Sequence, residues 1–260
     1  MSSTKSRMLV VAIALSWIGP LPSSAGAAGA QASAVEPEAT RILKRMTDYV
    51  GSLKSFSLDT QNTIEEVRDS GQKIQHDFAT RVAVQRPDKL RSERIGDTQS
   101  QLVVCDGKTL TIYDREHDTW ASAAAPPDLD GTLHFARDSL DLVPPAGDIV
   151  FTDAYALLTA SITSGSVVGK ATIGGVRCDQ LAFRSPGVDW QIWIAEGDRP
   201  LPQKYVLTTT GDPAQPEFVT LMNGWNVAPK LDASMFRFSA PKGAKKVEFL
   251  RIDQNAASGQ

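Results

Sequence analysis

Apolar residues recur at spacings of one, three and four between Glu36 and Leu53, at Ile42, Leu43, Met46, Tyr49, Val50 and Leu53. A stripe of that period predicts an amphipathic helix. Pro37 suits its first turn, and the pair Gly51-Ser52 weakens its end. Such a stripe fits a helix that covers the core face of a sheet; a partner-binding helix is the alternative.

After Ser55 the period changes to two. SFSLDTQNTIEEV, QKIQHDFATRVAVQRP and DKLRSERI read as strands separated by turn signals at Asp69-Ser70-Gly71 and Arg86-Pro87-Asp88. QLVVC and TLTIY flank Asp106-Gly107-Lys108, a hairpin signature. Short connections predict antiparallel neighbours. Between Asp128 and Thr159 the pattern turns helical again, with Leu129, Leu133, Ala136 and Leu140 on one stripe. Pro144-Pro145 ends that helix, and Ile149, Tyr155, Leu157 and Leu158 predict one or two short helices more. SVVGKATI and VRCDQLAF then flank Gly174-Gly175, and DWQIWIA and EFVTLMNGW follow. The sequence of elements predicts an α+β fold. No internal repeat or long linker divides the chain, so one domain is expected over 31–260, with a helical insertion near 128–160.

The stretch DWQIWIAEGDRPLPQKYVLTT, residues 189–209, carries the strongest alternation. Side chains on a strand alternate between faces, so Trp190, Ile192 and Ile194 share one side and Gln191, Trp193 and Ala195 the other. Tyr205 and Leu207 extend the first row beyond the turn, and Leu181 and Phe183 supply it upstream. These seven residues (Leu181, Phe183, Trp190, Ile192, Ile194, Tyr205 and Leu207) are the candidate lining of an apolar inner face. Trp193 is expected at the rim or in a surface pocket.

Charge and the N-terminus narrow the class. A net charge of −3 over 260 residues argues against a generally basic surface for nucleic acid. MSSTKSR, the apolar run MLVVAIALSWIG and the small-residue tract LPSSAGAAGAQASA form the pattern of a secretory signal peptide. Its expected extent is 1–30, with cleavage after Ala27, Ala30 or Ala34. The apolar run is short for a bilayer span, and no later segment reads as a membrane helix, so a soluble exported protein is expected. Export permits a disulfide between Cys105 and Cys178; buried free thiols are the alternative.

Catalytic signatures are missing from the sequence. His76, His117 and His134 have no metal-ligand spacing, SGSVVGKA lacks the first glycine and the final hydroxyl of a phosphate loop, and the abundant aspartates form no distinctive pair. The chain is expected not to be an enzyme and to need no cofactor.

The residues DWQIWIAEGDRPLPQKYVLTT, together with VCDGKTLTIYD and FRFSAPKGAKKVEF, resemble a family of periplasmic bacterial proteins known as domain of unknown function 2092. The W-I strand that turns through Gly and P-L-P into the next strand is similar to the wider LolA/LolB superfamily of lipoprotein carriers. That resemblance implies a periplasmic location and an open antiparallel half-barrel, its concave face apolar and covered by helices. It also implies a carrier that sequesters an apolar ligand such as a lipid or acyl chain. An envelope protein bound or sensed by a module with a filled core is the alternative partner.

Overall fold

The computed structural model describes residues 35–249, apart from 97–98, 141 and 143–145. The expected leader, its three cleavage positions and Pro144-Pro145 lie outside the described residues.

Helix α1 spans Pro37–Ser52, flanked by Glu36 and Leu53. Its buried side is Ala39, Ile42, Leu43, Met46, Thr47 and Val50. The wet side carries two pairs one turn apart, Glu38–Arg41 at 2.6 Å and Lys44–Asp48 at 2.7 Å. Glu36 does not cap the helix with its side chain. Its carboxylate accepts from the Val167 backbone N–H instead, at 2.9 Å, and its own N–H donates to the Gly165 carbonyl at 2.8 Å. The start of the helix is thereby fastened to a strand. Gly165 leaves room for the cross-strand Phe183 ring, which a Cβ there would strike.

Six strands follow: β1 (Ser55–Val67), β2 (Lys73–Gln85), β3 (Lys89–Gly96), β4 (Gln101–Asp106), β5 (Thr109–Asp114) and β6 (Thr119–Ala124). The insertion comprises α2 (Leu129–Leu140), a 3-10 turn (Gly147–Val150) and α3 (Ala154–Thr159). Five more strands complete the main meander: β7 (Ser164–Ile173), β8 (Val176–Ser185), β9 (Val188–Ala195), β10 (Pro202–Thr208) and β11 (Glu217–Asn226). A second 3-10 turn (Ala233–Phe236) leads to the short β12 (Lys245–Lys246). The twelve strands form one sheet in the order β12-β6-β5-β4-β3-β2-β1-β11-β10-β9-β8-β7. All pairs are antiparallel except β12 with β6, and the sheet does not close on itself.

Strand β6 was not expected from the sequence. TWASAA is alanine-rich and has weak intrinsic strand preference, but β5 supplies a partner for every residue of it, and that pairing outweighs propensity. Nor was the C-terminal strap, in which Phe238 packs between Tyr113 and Trp120 at centroid distances of 5.7 and 5.4 Å.

The two faces of the sheet differ. The inner face packs on α1, α2, the Gly147–Val150 turn and α3 in one continuous core. A small second core on the outer face gathers Cys178, Trp193 and Val206.

Candidate functional site, an apolar cavity with a polar row

All seven residues of the expected lining belong to the inner core. Phe183 stacks on Trp190 at 4.3 Å, and Trp190 meets Tyr205 edge-on at 5.8 Å. Burial pushes the Tyr205 phenol well above its ordinary value, and the nearby Asp148 charge adds to the effect. These side chains are buried in the part of the core that α1 covers. None of them lines the open cavity.

Trp193 departs from expectation. It is buried on the outer face, not at a rim. Lys204 lies across the strand pair from it and holds its ammonium 4.7 Å from the ring centroid, so the lysine stem covers what the alternation leaves exposed. The candidate disulfide is also corrected. Cys105 and Cys178 are both free and buried, in the inner and the outer core respectively. Strands β4 and β8 stand seven steps apart in the sheet order, far beyond disulfide reach.

The open space lies over β1 to β4 and β11, roofed by α2 and the Gly147–Val150 turn. It is a cavity of about 340 Å³, at the lower end of the usual range for small-molecule sites, roughly 300–1,000 Å³. Strand register arranges its floor in rows. Phe56, Val84 and Leu90 pair across β1, β2 and β3. The next inward row is Leu58, Val82, Ser92 and Val103. The row after that is Met222, Thr60, Thr80, Arg94 and Gln101, polar across four adjacent strands. Asn62 and Thr220 pair beside it. The floor therefore grades from apolar to polar along the strand direction.

The polar row is partly self-satisfied. Asn62 Nδ2 donates to Thr60 Oγ1 at 2.8 Å, to Thr80 Oγ1 at 3.2 Å and to the Phe78 carbonyl at 3.2 Å. Arg94 is different. Its guanidinium lies 3.7 Å above the Phe78 ring, and its buried Nε has no hydrogen-bond partner. Burial alone pushes this guanidinium below its ordinary value, with no neighbouring charge contributing. In the roof, Arg137 is committed: Nη2 donates to His134 Nδ1 at 2.7 Å, Nε to Asp138 at 3.0 Å, and Nη1 lies 3.8 Å from Asp148. Burial raises the Asp148 carboxyl, against the lowering effect of Arg137 and His134.

The roof is tied to the sheet by Arg86, which directly follows β2. It donates to the Val150 carbonyl at 2.7 Å and to Thr152 Oγ1 at 2.8 Å, with Asp130 3.8 Å away. Trp225 closes the β11 side, its ring against Phe56 at 5.6 Å and its Nε1–H donating to the Pro202 carbonyl at 2.9 Å.

The three histidines are engaged separately, His76 with Glu66, His117 with Asp114 and His134 with Arg137. Among the described residues no group of His, Cys, Asp and Glu converges as a metal site, and no helix is long and apolar enough to cross a membrane.

The family model described as "Predicted periplasmic protein (DUF2092)" matches residues 39–250, from α1 through the C-terminal strap. The chain belongs to the DUF2092 family. Its location is accordingly the periplasm. No curated protein matches this DUF2092 chain. Among solved structures, an uncharacterised conserved protein from Thermus thermophilus is 13% identical, with 81% of this chain and 99% of that one covered and a TM-score of 0.48. LprF from Mycobacterium bovis gives 13% identity, the same coverages and 0.45. A LolA superfamily protein from Nitrosomonas europaea gives 11% identity, 77% and 97% coverage and 0.38.

The residues that line the cavity, aromatic ones such as Phe56, Phe78 and Trp225 included, escaped sequence reasoning. Thr60, Thr80, Arg94 and Gln101 are far apart in the chain and individually ordinary. Only the register across β1 to β4 sets them in one row.

Proposed function

We propose that this protein binds the acyl chain of a lipid or lipidated ligand by sequestration, without chemistry, in the cavity between the inner sheet face and α2. The exported chain acts as one domain over residues 31–260. The observation that carries the reading is the unfilled, mostly apolar space of about 340 Å³ beneath a roof built from the insertion. A well-packed core leaves few voids larger than a water molecule, so a space of this size beside a densely filled region points to an occupant. Burial of roughly eight methylenes contributes on the order of 6 kcal/mol, against which the cost of immobilising the ligand must be set. An apolar tail alone therefore gives modest affinity, suited to uptake and release. The ligand position differs from the sequence expectation: the Trp190 row is the rigid floor under α1, and the tail lies beside it, against Phe56, Leu58, Val82 and Leu110.

The test is mass spectrometry of organic extracts from protein purified out of the periplasm. A stoichiometric acyl-bearing species supports the reading. Protein that is free of lipid and that takes up no acyl probe on titration overturns it.

A further inference from the structure

We infer that the ligand of this cavity is an amphiphile with an anionic head, and that Arg94 is its counter-ion. The inference rests on the sequestration reading above and names the ligand class. Three observations carry it. First, Arg94 lines the cavity and its buried Nε lacks a hydrogen-bond partner. A buried donor left unmade is costly, and no ion pair to Arg94 forms among the described residues, whereas Arg86, Arg91, Arg115 and Arg137 each have a carboxylate within 4.0 Å. Second, Arg94 sits in the cross-strand row of the floor that is polar over four adjacent strands, between Thr80 on β2 and Gln101 on β4. Those side chains supply neutral donors on either side of the charge. Third, the rows beyond it are apolar apart from Ser92: Leu58, Val82 and Val103, then Phe56, Val84 and Leu90. A head held at Arg94 thus projects its tail toward Leu90 and Leu110.

The planar guanidinium is held over Phe78, which fixes its position and leaves its edge for a planar or tetrahedral anion. Asp148 is the opposing charge of the cavity. It belongs to the roof and faces Arg137 and His134, so it disfavours an anion at the roof and leaves Arg94 as the anion's place. A fatty-acid carboxylate and a phosphate monoester share this chemistry.

The experiment is a competition titration of the purified protein with dodecanoate, dodecyl phosphate, dodecanol and dodecyltrimethylammonium, each below its micellar range. Both anions are expected to bind roughly tenfold or more tighter than dodecanol, as a charge-assisted hydrogen bond in a partly dry site allows. The ammonium is expected to bind more weakly than dodecanol. A higher affinity for dodecyl phosphate than for dodecanoate assigns the head as a phosphate, and the reverse order assigns a carboxylate. In R94Q the preference for the anions over dodecanol should vanish; R94K should retain most of it. Equal affinity for the four ligands, or a preference that survives in R94Q, overturns the role of Arg94 and leaves the sequestration reading standing. Failure of all four to bind overturns both. If R94Q does not fold, the ranking of the four ligands on the wild-type protein and its loss in high salt decide the question.

Discussion

The Asp130 carboxylate holds Thr152 by both its backbone N–H, at 3.0 and 3.1 Å to the two oxygens, and its hydroxyl, at 3.1 Å. Asp130 lies in the first turn of α2, and Thr152 shortly precedes α3, so this one carboxylate joins both ends of the cavity roof. Asp130→Ala should lower stability to urea by about 1–2 kcal/mol, less than a fully buried ionic hydrogen-bond set because the carboxylate is partly solvated. Amide exchange should rise at Thr152 and along α3 but not in β8 to β10. Uniform loss of protection across the sheet would show that the roof is not a separately anchored unit.

Thr152 also sets the fate of Gly51. A Cβ at Gly51 would lie 2.4 Å from the Thr152 carbonyl oxygen. Alanine is the better helix former by about 1 kcal/mol in a helix interior, and less at a last turn. Here both colliding groups are tied to backbone, and overpacking of this kind costs about 1–3 kcal/mol. Gly51→Ala is therefore expected to destabilise, by a net figure of about 1–2 kcal/mol in the same urea assay. A stabilised variant would mean that α1 and the segment before α3 separate without cost.

The two thiols give a redox prediction. The Cys105 Sγ–H donates to the Asp88 carbonyl at 3.3 Å and the Cys178 Sγ–H to the Val176 carbonyl at 3.4 Å. Burial pushes both thiols up, which slows thiolate chemistry further. Reductant should leave the unfolding midpoint unchanged. A maleimide should label neither cysteine in the native protein and both once urea is added. A midpoint that falls with reductant would contradict the separation of the two residues onto opposite faces.

Asp148 gives the pH dependence. Its carboxyl is raised by burial, so the folded state binds its proton more tightly than the unfolded chain does. The associated stability is fully present below the ordinary carboxyl value of 3.8 and is lost as pH rises through the raised value. Asp148→Asn removes that slope. The stability difference between the variant and wild type should shift in favour of the variant as pH climbs from about 3 toward 7. The shift should be modest, because the carboxylate keeps 37% of its exposure. A difference that is flat with pH, or that moves the other way, would show that Arg137 and His134 outweigh desolvation.

Much of this architecture is legible in the sequence because it is local. The helix expected from Glu36 to Leu53 agrees with α1, Pro37–Ser52, within a residue at each end. The alternation in residues 189–195 separates Trp190 from Trp193, and those two do enter different cores. What escaped depends on distant partners. TWASAA becomes a strand only because β5 is beside it. Trp193 is covered only because β10 brings Lys204 across from it. The cavity is the clearest case: a row of large apolar residues marks where a core is dense, so the Trp190 row led to the filled half of the inner face. The empty half is decided by where α2 and the Gly147–Val150 turn come to rest over β1 to β4, and the sequence carries no local signal for that placement.

Trp225 reports on the central claim most directly, because its ring lines the cavity while Trp190 is packed beneath α1, Trp193 lies on the outer face and Trp120 lies under the C-terminal strap. The measurement is quenching of tryptophan fluorescence by a bromine-labelled acyl chain, titrated into the wild-type protein, Trp225→Phe and Trp120→Phe. A cavity-bound tail predicts saturable quenching at one ligand per protein, retained in Trp120→Phe and lost in Trp225→Phe. Quenching that persists undiminished in Trp225→Phe, or that never saturates in the wild type, would contradict it.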